Sequence, residues 1–388
     1  LGRAPGTNNN LLTATKTGLT GSPVTFTATA KFGMRLVATG SDHSCGLNAA
    51  NDVYCWGWNQ YGQLGDGTNT DRSAPVKLGN VSLRPPSLAL GKYYSCLLLS
   101  TGKAHCWGYN GSGSLGDGTN TDSSTPVPVG GTVTFTRIAA AILTTCGLNP
   151  FGGVWCWGDN DEGEFGNGTT TSSNVPVLSA GGFTFGSIYR GGLHTCALTT
   201  EGKASCWGYN ANGQLGDGTT TQRLTPTLVS GGLTFTSLTL GERHSCGLLA
   251  SGKAYCWGWN NVGQLGNGST ANALSPQPVS GNIAFIQLAA EGGHTCGITS
   301  SGVAYCWGFN FNGQLGIGTT GPSVTAPSPV TGGRSFSAIA AGASNNTCGV
   351  PVGGGHPLCW GSNGLGQLGN GTTVTAPLPV EVLTPPIP

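Results

Sequence analysis

Charge is what this chain has least of: Asp, Glu, Lys and Arg make up 8% of its 388 residues, against about 25% in an average soluble domain. The formal net charge is +1. No basic field is available to hold nucleic acid and no acidic one to repel it. Methionine occurs once. No apolar run reaches the ~18 residues of a membrane-spanning helix, and no segment has helical period over helical length. The chain opens at Leu1 without Met or the apolar core of a signal peptide, and is expected to be processed or a fragment.

Cysteine, by contrast, is plentiful and ordered. The 14 cysteines form seven pairs: Cys45 with Cys55, Cys96 with Cys106, Cys146 with Cys156, Cys196 with Cys206, Cys246 with Cys256, Cys296 with Cys306, and Cys348 with Cys359. Successive pairs recur every 50 to 52 residues, and each second cysteine is followed by Trp-Gly. A sevenfold period of this length is the mark of a repeat architecture. An even, regular cysteine set implies a disulfide framework made in an oxidising compartment, so the chain is expected to be extracellular.

The spacing places each pair in a hairpin. If Cys96 lies opposite Cys106, then Leu98 faces Ala104 and Ser100-Thr101-Gly102 is left as a three-residue loop. Such loops favour a left-handed third residue, which Gly adopts without steric cost. Gly102, Gly152, Gly202, Gly252 and Gly302 stand there, with Asn51 in the first repeat. Residues directly opposed on antiparallel strands lie within disulfide range, so each bridge is expected within one unit. Zinc ligation is the competing reading; it is disfavoured because zinc ligands usually sit two to four residues apart.

Each unit carries short alternating runs between Gly, Asn and Asp clusters, which read as four strands of 4 to 6 residues. The Trp at 56, 107, 157, 207, 257, 307 and 360 reads as packing between units. A proline recurs at 75, 126, 176, 226, 276, 327 and 377. Lacking a backbone donor, it belongs on the outermost strand. The expected fold is all-β: a seven-bladed propeller of four-stranded blades with one disulfide in each. Blades fall at about 32–80, 81–130, 131–181, 182–230, 231–280, 281–331 and 332–388. Residues 1–31 fit no complete repeat. They read as the end of an immunoglobulin-like domain, as a ring-closing strand, or as a strand that pairs with a neighbouring molecule.

The stretches Cys206-Trp207-Gly208-Tyr209-Asn210, Gly213-Gln214-Leu215-Gly216-Asp217-Gly218-Thr219 and Gly241-Glu242-Arg243-His244-Ser245 resemble the repeat of the regulator of chromosome condensation family. The resemblance recurs in all seven units and implies a seven-bladed propeller. The added cysteines resemble a secreted bacterial branch. Nuclear members act on a small GTPase, a setting hard to reconcile with seven disulfides.

No catalytic set stands out. His43, His194, His244 and His294 recur two residues before a cysteine, which marks structural hydrogen-bonders in preference to catalysts. No cofactor or metal site is expected. The position after Cys-Trp-Gly varies and carries Trp58, Tyr109, Tyr209, Trp259 and Phe309, with Tyr61 and Phe311 in the adjoining loops. Exposed aromatic clusters mark interaction surfaces, so these seven form a candidate contact face; rings packed beneath their own loops are the alternative. Repeat three interrupts the pattern with Asp159, Asp161, Glu162 and Glu164, a solvated patch or a cation site. The expected function is a non-catalytic secreted or cell-surface module that binds a protein or glycan. The alternative is a structural subunit of an extracellular fibre, with residues 1–31 pairing to other copies of itself.

Overall fold

A computed structural model describes residues 33–79 and 87–385. The N-terminal segment, with its proposed closure or pairing strand, lies outside the described residues.

Seven four-stranded antiparallel sheets follow one another along the chain, each strand pairing with the next in sequence. In the first blade these are β1 (Met34–Thr39), β2 (His43–Asn48), β3 (Val53–Gly57) and β4 (Arg72–Lys77). The strands are slightly longer than expected in places: the inner strands Phe285–Glu291 and Phe336–Gly342 have 7 residues. In both, the extra residue lies at the far end of the strand, where Glu291 pairs with His294 and Gly342 with Asn346.

The hairpin reading holds. Cys96 pairs with Cys106 and Leu98 with Ala104, Leu99 N donates to Lys103 O, and Gly102 N to Leu99 O. Gly102 has φ 79° and Asn51 φ 62°. The ladder alternation makes each cysteine pair a closely spaced, non-hydrogen-bonded one. The bridges are those the spacing calls for, one inside each blade. Cys45 is bonded to Cys55, Cys96 to Cys106, Cys146 to Cys156 and Cys196 to Cys206. Cys246 is bonded to Cys256, Cys296 to Cys306 and Cys348 to Cys359. Their Cα atoms are 4.0–4.1 Å apart throughout, and no cysteine is free. The recurrent prolines all lie in the fourth, outermost strand, as Pro75 does in β4.

What joins blade to blade is a repeated polar and apolar seam. Each recurrent Trp is fully buried and donates Nε1 to a backbone carbonyl of the preceding blade at 2.7–3.0 Å. That carbonyl, Gln214 O for Trp257, also accepts from the hydroxyl of Ser245. The hydroxyl in turn meets Nε2 of His194 in the preceding blade at 2.8 Å. Because its hydrogen is committed to the carbonyl, the ring must supply the proton, which makes His194 the Nε2–H tautomer. His43 with Ser95, His244 with Thr295 and His294 with Thr347 repeat the arrangement. The histidines are thus interblade hydrogen-bonders.

Seven backbone bonds complete the ring. The loop glycine of each blade donates to the outer strand of the next, from Gly67 N to Ser124 O through to Gly371 N to Ser73 O. Trp56 closes on Gln367 O. Blade 7 therefore meets blade 1 through the same indole–carbonyl bond and loop-glycine bond as the other junctions.

Candidate binding face

The residue after each Cys-Trp-Gly begins a long loop on one face of the ring. Its amide donates to the loop between the first two strands of its own blade: Trp58 to Asp42 O, Tyr109 to Tyr93 O, Asp159 to Leu143 O, Tyr209 to Leu193 O, Trp259 to Arg243 O, Phe309 to Gly293 O and Ser362 to Asn345 O. The loop is organised by a buried Asn one residue later. Asn59 Oδ1 accepts from Leu64 N, while its Nδ2 donates to Thr68 O and Thr70 O. Asp66, in the same loop, accepts from Thr68 and Arg72.

The seven equivalent positions do not form one continuous aromatic belt. Trp58, Tyr61 and Tyr109 gather with Tyr93, a residue the repeat pattern did not single out. Trp58 lies 5.5 Å from Tyr61 and 5.2 Å from Tyr93, and Tyr61 lies 5.0 Å from Tyr109, ring centre to ring centre. The rings meet mostly edge to face and all four are half-buried. Lys92 Nζ sits 4.7 Å above the Tyr93 ring. Elsewhere Phe309 and Phe311 form a separate pair at 5.1 Å, Phe311 being 62% exposed. Arg243 covers Tyr209 at 5.9 Å. Trp259 has no ring partner among the described residues.

The same face opens onto the axis. Inner strands of all seven blades line a channel of about 310 Å³, mostly with Ala, Val, Leu and Ile, together with Arg190 and Glu291. Its mouth is bounded by Gly91, Lys92, Ile142 and Glu291, so Lys92 and Tyr93 join the channel mouth to the aromatic cluster. Burial pushes the Glu291 carboxyl up to about 8, with the nearby Glu242 acting in the same direction. Burial likewise pulls the Arg190 guanidinium below its ordinary value, opposed by Glu164.

The acidic stretch of blade 3 is not simply a solvated patch. Glu164 is fully buried, accepts from Glu162 N at 3.0 Å, and burial raises its carboxyl to about 7. Sequence reading missed Arg190 and Glu291. Both carried a signal, a charge at repeat positions that otherwise hold Thr, Leu or Ala and, for Glu291, mostly Gly.

A family model for the RCC1-like domain matches residues 6–348. The chain belongs to the RCC1-like domain family. Among curated relatives, the ultraviolet-B receptor UVR8 of Arabidopsis thaliana is 36% identical over 108 residues, 28% of this chain and 24% of the receptor. The matched stretches span no more than about a quarter of the first curated relatives' own lengths. Two solved structures place the RCC1-like propeller in context. Prp20p of Saccharomyces cerevisiae has TM-score 0.76 at 21% identity, covering 91% of this chain and 88% of that one. The ectodomain of the Physcomitrella patens receptor kinase CR4 has TM-score 0.56 at 24% identity, covering 85% and 74%. At such identities the likeness is one of fold.

Proposed function

We propose that this RCC1-like propeller is a non-catalytic extracellular binding module that captures a protein partner on the Trp58–Tyr61–Tyr93–Tyr109 cluster. The cluster itself carries the reading. Four large rings, half-buried and grouped beside the axial mouth, have the composition and packing of a protein-interaction hot spot. Their mutual edge-to-face packing uses up the flat faces on which a sugar ring would stack, which favours a protein over a glycan. Seven disulfides with no free cysteine support an oxidising compartment. The fold serves extracellularly in the CR4 ectodomain, and Prp20p is described with binding properties to Gsp1p and histones.

The test is a peptide-display selection against the wild-type protein, counter-selected on a Trp58→Ala/Tyr109→Ala double variant, with a glycan array probed by both. Binders that lose at least tenfold affinity on the double variant support the reading. Signals confined to the glycan array would replace the protein partner with a sugar. Binders that ignore both rings would move the binding surface elsewhere.

A further inference from the structure

The axial channel holds one guanidinium that the fold leaves incompletely satisfied. Arg190 ends the inner strand of blade 4 (Phe185–Arg190), lines the channel and is only 6% exposed. By their pairing to the residue before the first cysteine, its counterparts are Thr39, Leu90, Ala140, Leu240, Ala290 and Ala341. Six blades thus manage without a charge here.

One of its nitrogens has a structural task. Nη1 donates to the Thr195 hydroxyl, which itself donates to Glu164 O at 2.8 Å. This is the bond a histidine makes at other junctions; blade 3 has Thr144 in the histidine position, and Thr144 bonds Asp159 O instead. The other two nitrogens, Nε and Nη2, have no acceptor. They lie on one edge of the guanidinium, and two parallel N–H groups on such an edge match the two oxygens of a carboxylate. Leaving buried donors on a cation unmatched is costly, so the arrangement calls for an anion.

Among the described residues no carboxylate accepts a hydrogen bond from either of these nitrogens, although Glu164, Asp159 and Glu291 act on Arg190 at longer range. Glu164 influences Arg190 electrostatically, but its Oε2 is engaged by Glu162 N and neither free Arg190 nitrogen reaches it. Glu291 lines the same channel, and with its carboxyl at about 8 it is largely protonated at neutral pH. In that state it is a hydrogen-bond donor toward an incoming anion. A singly charged group also balances the single cation best in a partly dry site.

We propose that the axial channel is a carboxylate-binding site, in which the Nε/Nη2 edge of Arg190 grips both oxygens of a carboxylate entering from the aromatic face. The carboxylate comes either from a free organic acid or from an acidic side chain of a docked polypeptide. Trp58 and Tyr109 do not line the channel, so their substitution leaves Arg190 in place.

The experiment titrates the intact, disulfide-bonded protein at pH 7 with three probes. These are acetate, glutarate, and the blocked pentapeptide Gly-Gly-Glu-Gly-Gly, with its Gln analogue as control. The readout is the 15N-resolved Nε–H resonance of Arg190 together with calorimetry. Saturable shifts with at least one carboxylate and none with the Gln peptide are expected. Affinity should fall at least tenfold in Arg190→Leu, the residue of two other blades. It should fall about fivefold or more in Arg190→Lys, which keeps the charge and removes the fork. Binding of the small acids alone identifies a free acid as the source; binding of the Glu peptide identifies an acidic side chain. Binding by wild type no tighter than by Arg190→Lys overturns the proposal. So does binding that appears only in Glu164→Gln, because Arg190 is then the private counter-ion of Glu164.

Discussion

At the junction of blades 4 and 5, the His194 ring meets Ser245, Ser245 donates to Gln214 O, and Trp257 donates to the same carbonyl. At the junction of blades 3 and 4, the carbonyl and the indole remain, as Glu164 O and Trp207, but the ladder above them is rebuilt. Thr144 replaces the histidine, Arg190 takes over the bond to Thr195, and buried Glu164 stands where five other blades carry Gln. Here the loop at the channel mouth also holds Ile142 at φ 38°, a conformation costing a β-branched residue about 1–3 kcal/mol. The difference separates two layers of the seam. Indole and backbone carbonyl are common to all seven junctions and hold the ring. The polar ladder is replaceable, and the channel gains its arginine where that ladder has been replaced.

Acid should separate the two junctions most strongly. Burial holds His43, His194 and His244 down at about 3 and His294 at about 4. Each is neutral in the fold but takes up a proton in the unfolded chain below about pH 6.5. Their contribution is therefore full above pH 6.5 and is lost as pH falls toward 3, by about 2 kcal/mol for each histidine between pH 6.5 and 5. Glu164 and Glu291 have the opposite sign. With folded values of about 7 and 8, their contribution is full below about pH 4.5 and is lost as pH rises. Guanidinium midpoints of the disulfide-intact protein should drop from pH 7 to pH 5, and Glu164→Gln should make that drop steeper, because Glu164 offsets part of it between about pH 4.5 and its folded value of about 7. A midpoint that rises steadily on acidification would show that the histidines are not held neutral.

The next effect tests the shared layer. Trp257→Ala and Trp207→Ala should each cost about 3–5 kcal/mol, the usual loss for a fully buried indole. The two values should agree within about 1 kcal/mol. A markedly cheaper Trp207→Ala, measured by the same midpoints, would mean that the rebuilt junction is already loose and the layers are not separable.

Much of this was legible in the sequence, for a physical reason. Strand count, disulfide pairing and the edge position of proline follow from period-2 pairing and from what a hairpin allows, and Gly102 with Asn51 marks the turn. The indole's role follows from its place in every repeat. What the pattern conceals lies in its exceptions. Tyr93 belongs to no repeating aromatic position and joins Trp58 only because the loops of neighbouring blades meet in space. Arg190 and Glu164 lie 26 positions apart in sequence, and nothing local says that both are buried at one seam. Aromatics at equivalent backbone positions suggest one belt. Spacing around the ring keeps most of them apart, and clustering needs the extra Tyr61 and Tyr93.

Breaking one rung of an intact ladder should have a smaller effect than removing an indole. His244→Leu removes the proton donor to Thr295 and leaves that hydroxyl bonded only to Gln264 O. A loss of about 2 kcal/mol is expected. Thr144→Ala at the rebuilt junction, where the side chain only caps Asp159 O, should cost about half as much. Equal losses at the two sites would show that the ladder adds nothing beyond an ordinary buried hydrogen bond.

The smallest effect on stability is expected where the chemistry changes most. The double variant Glu164→Gln/Arg190→Leu restores at blades 3 and 4 the residues that other blades carry at the same register. It removes a buried cation with two unmatched donors and a buried acid whose carboxyl is raised to about 7. Replacing buried charged groups together with fitting neutral ones is often neutral or stabilising by about 1–4 kcal/mol, whereas removing one alone strands the other. Thr195 keeps its bond to the carbonyl of residue 164, which is backbone and survives the change. The double variant should thus match or exceed wild-type stability, while Arg190→Leu alone falls below it with Glu164 left uncompensated. Unfolding midpoints of wild type, both single variants and the double variant form the complete cycle. A double variant less stable than either single one would show that the arginine holds the ring together. Its retention would then be explained by stability, and the channel would need no ligand to account for it.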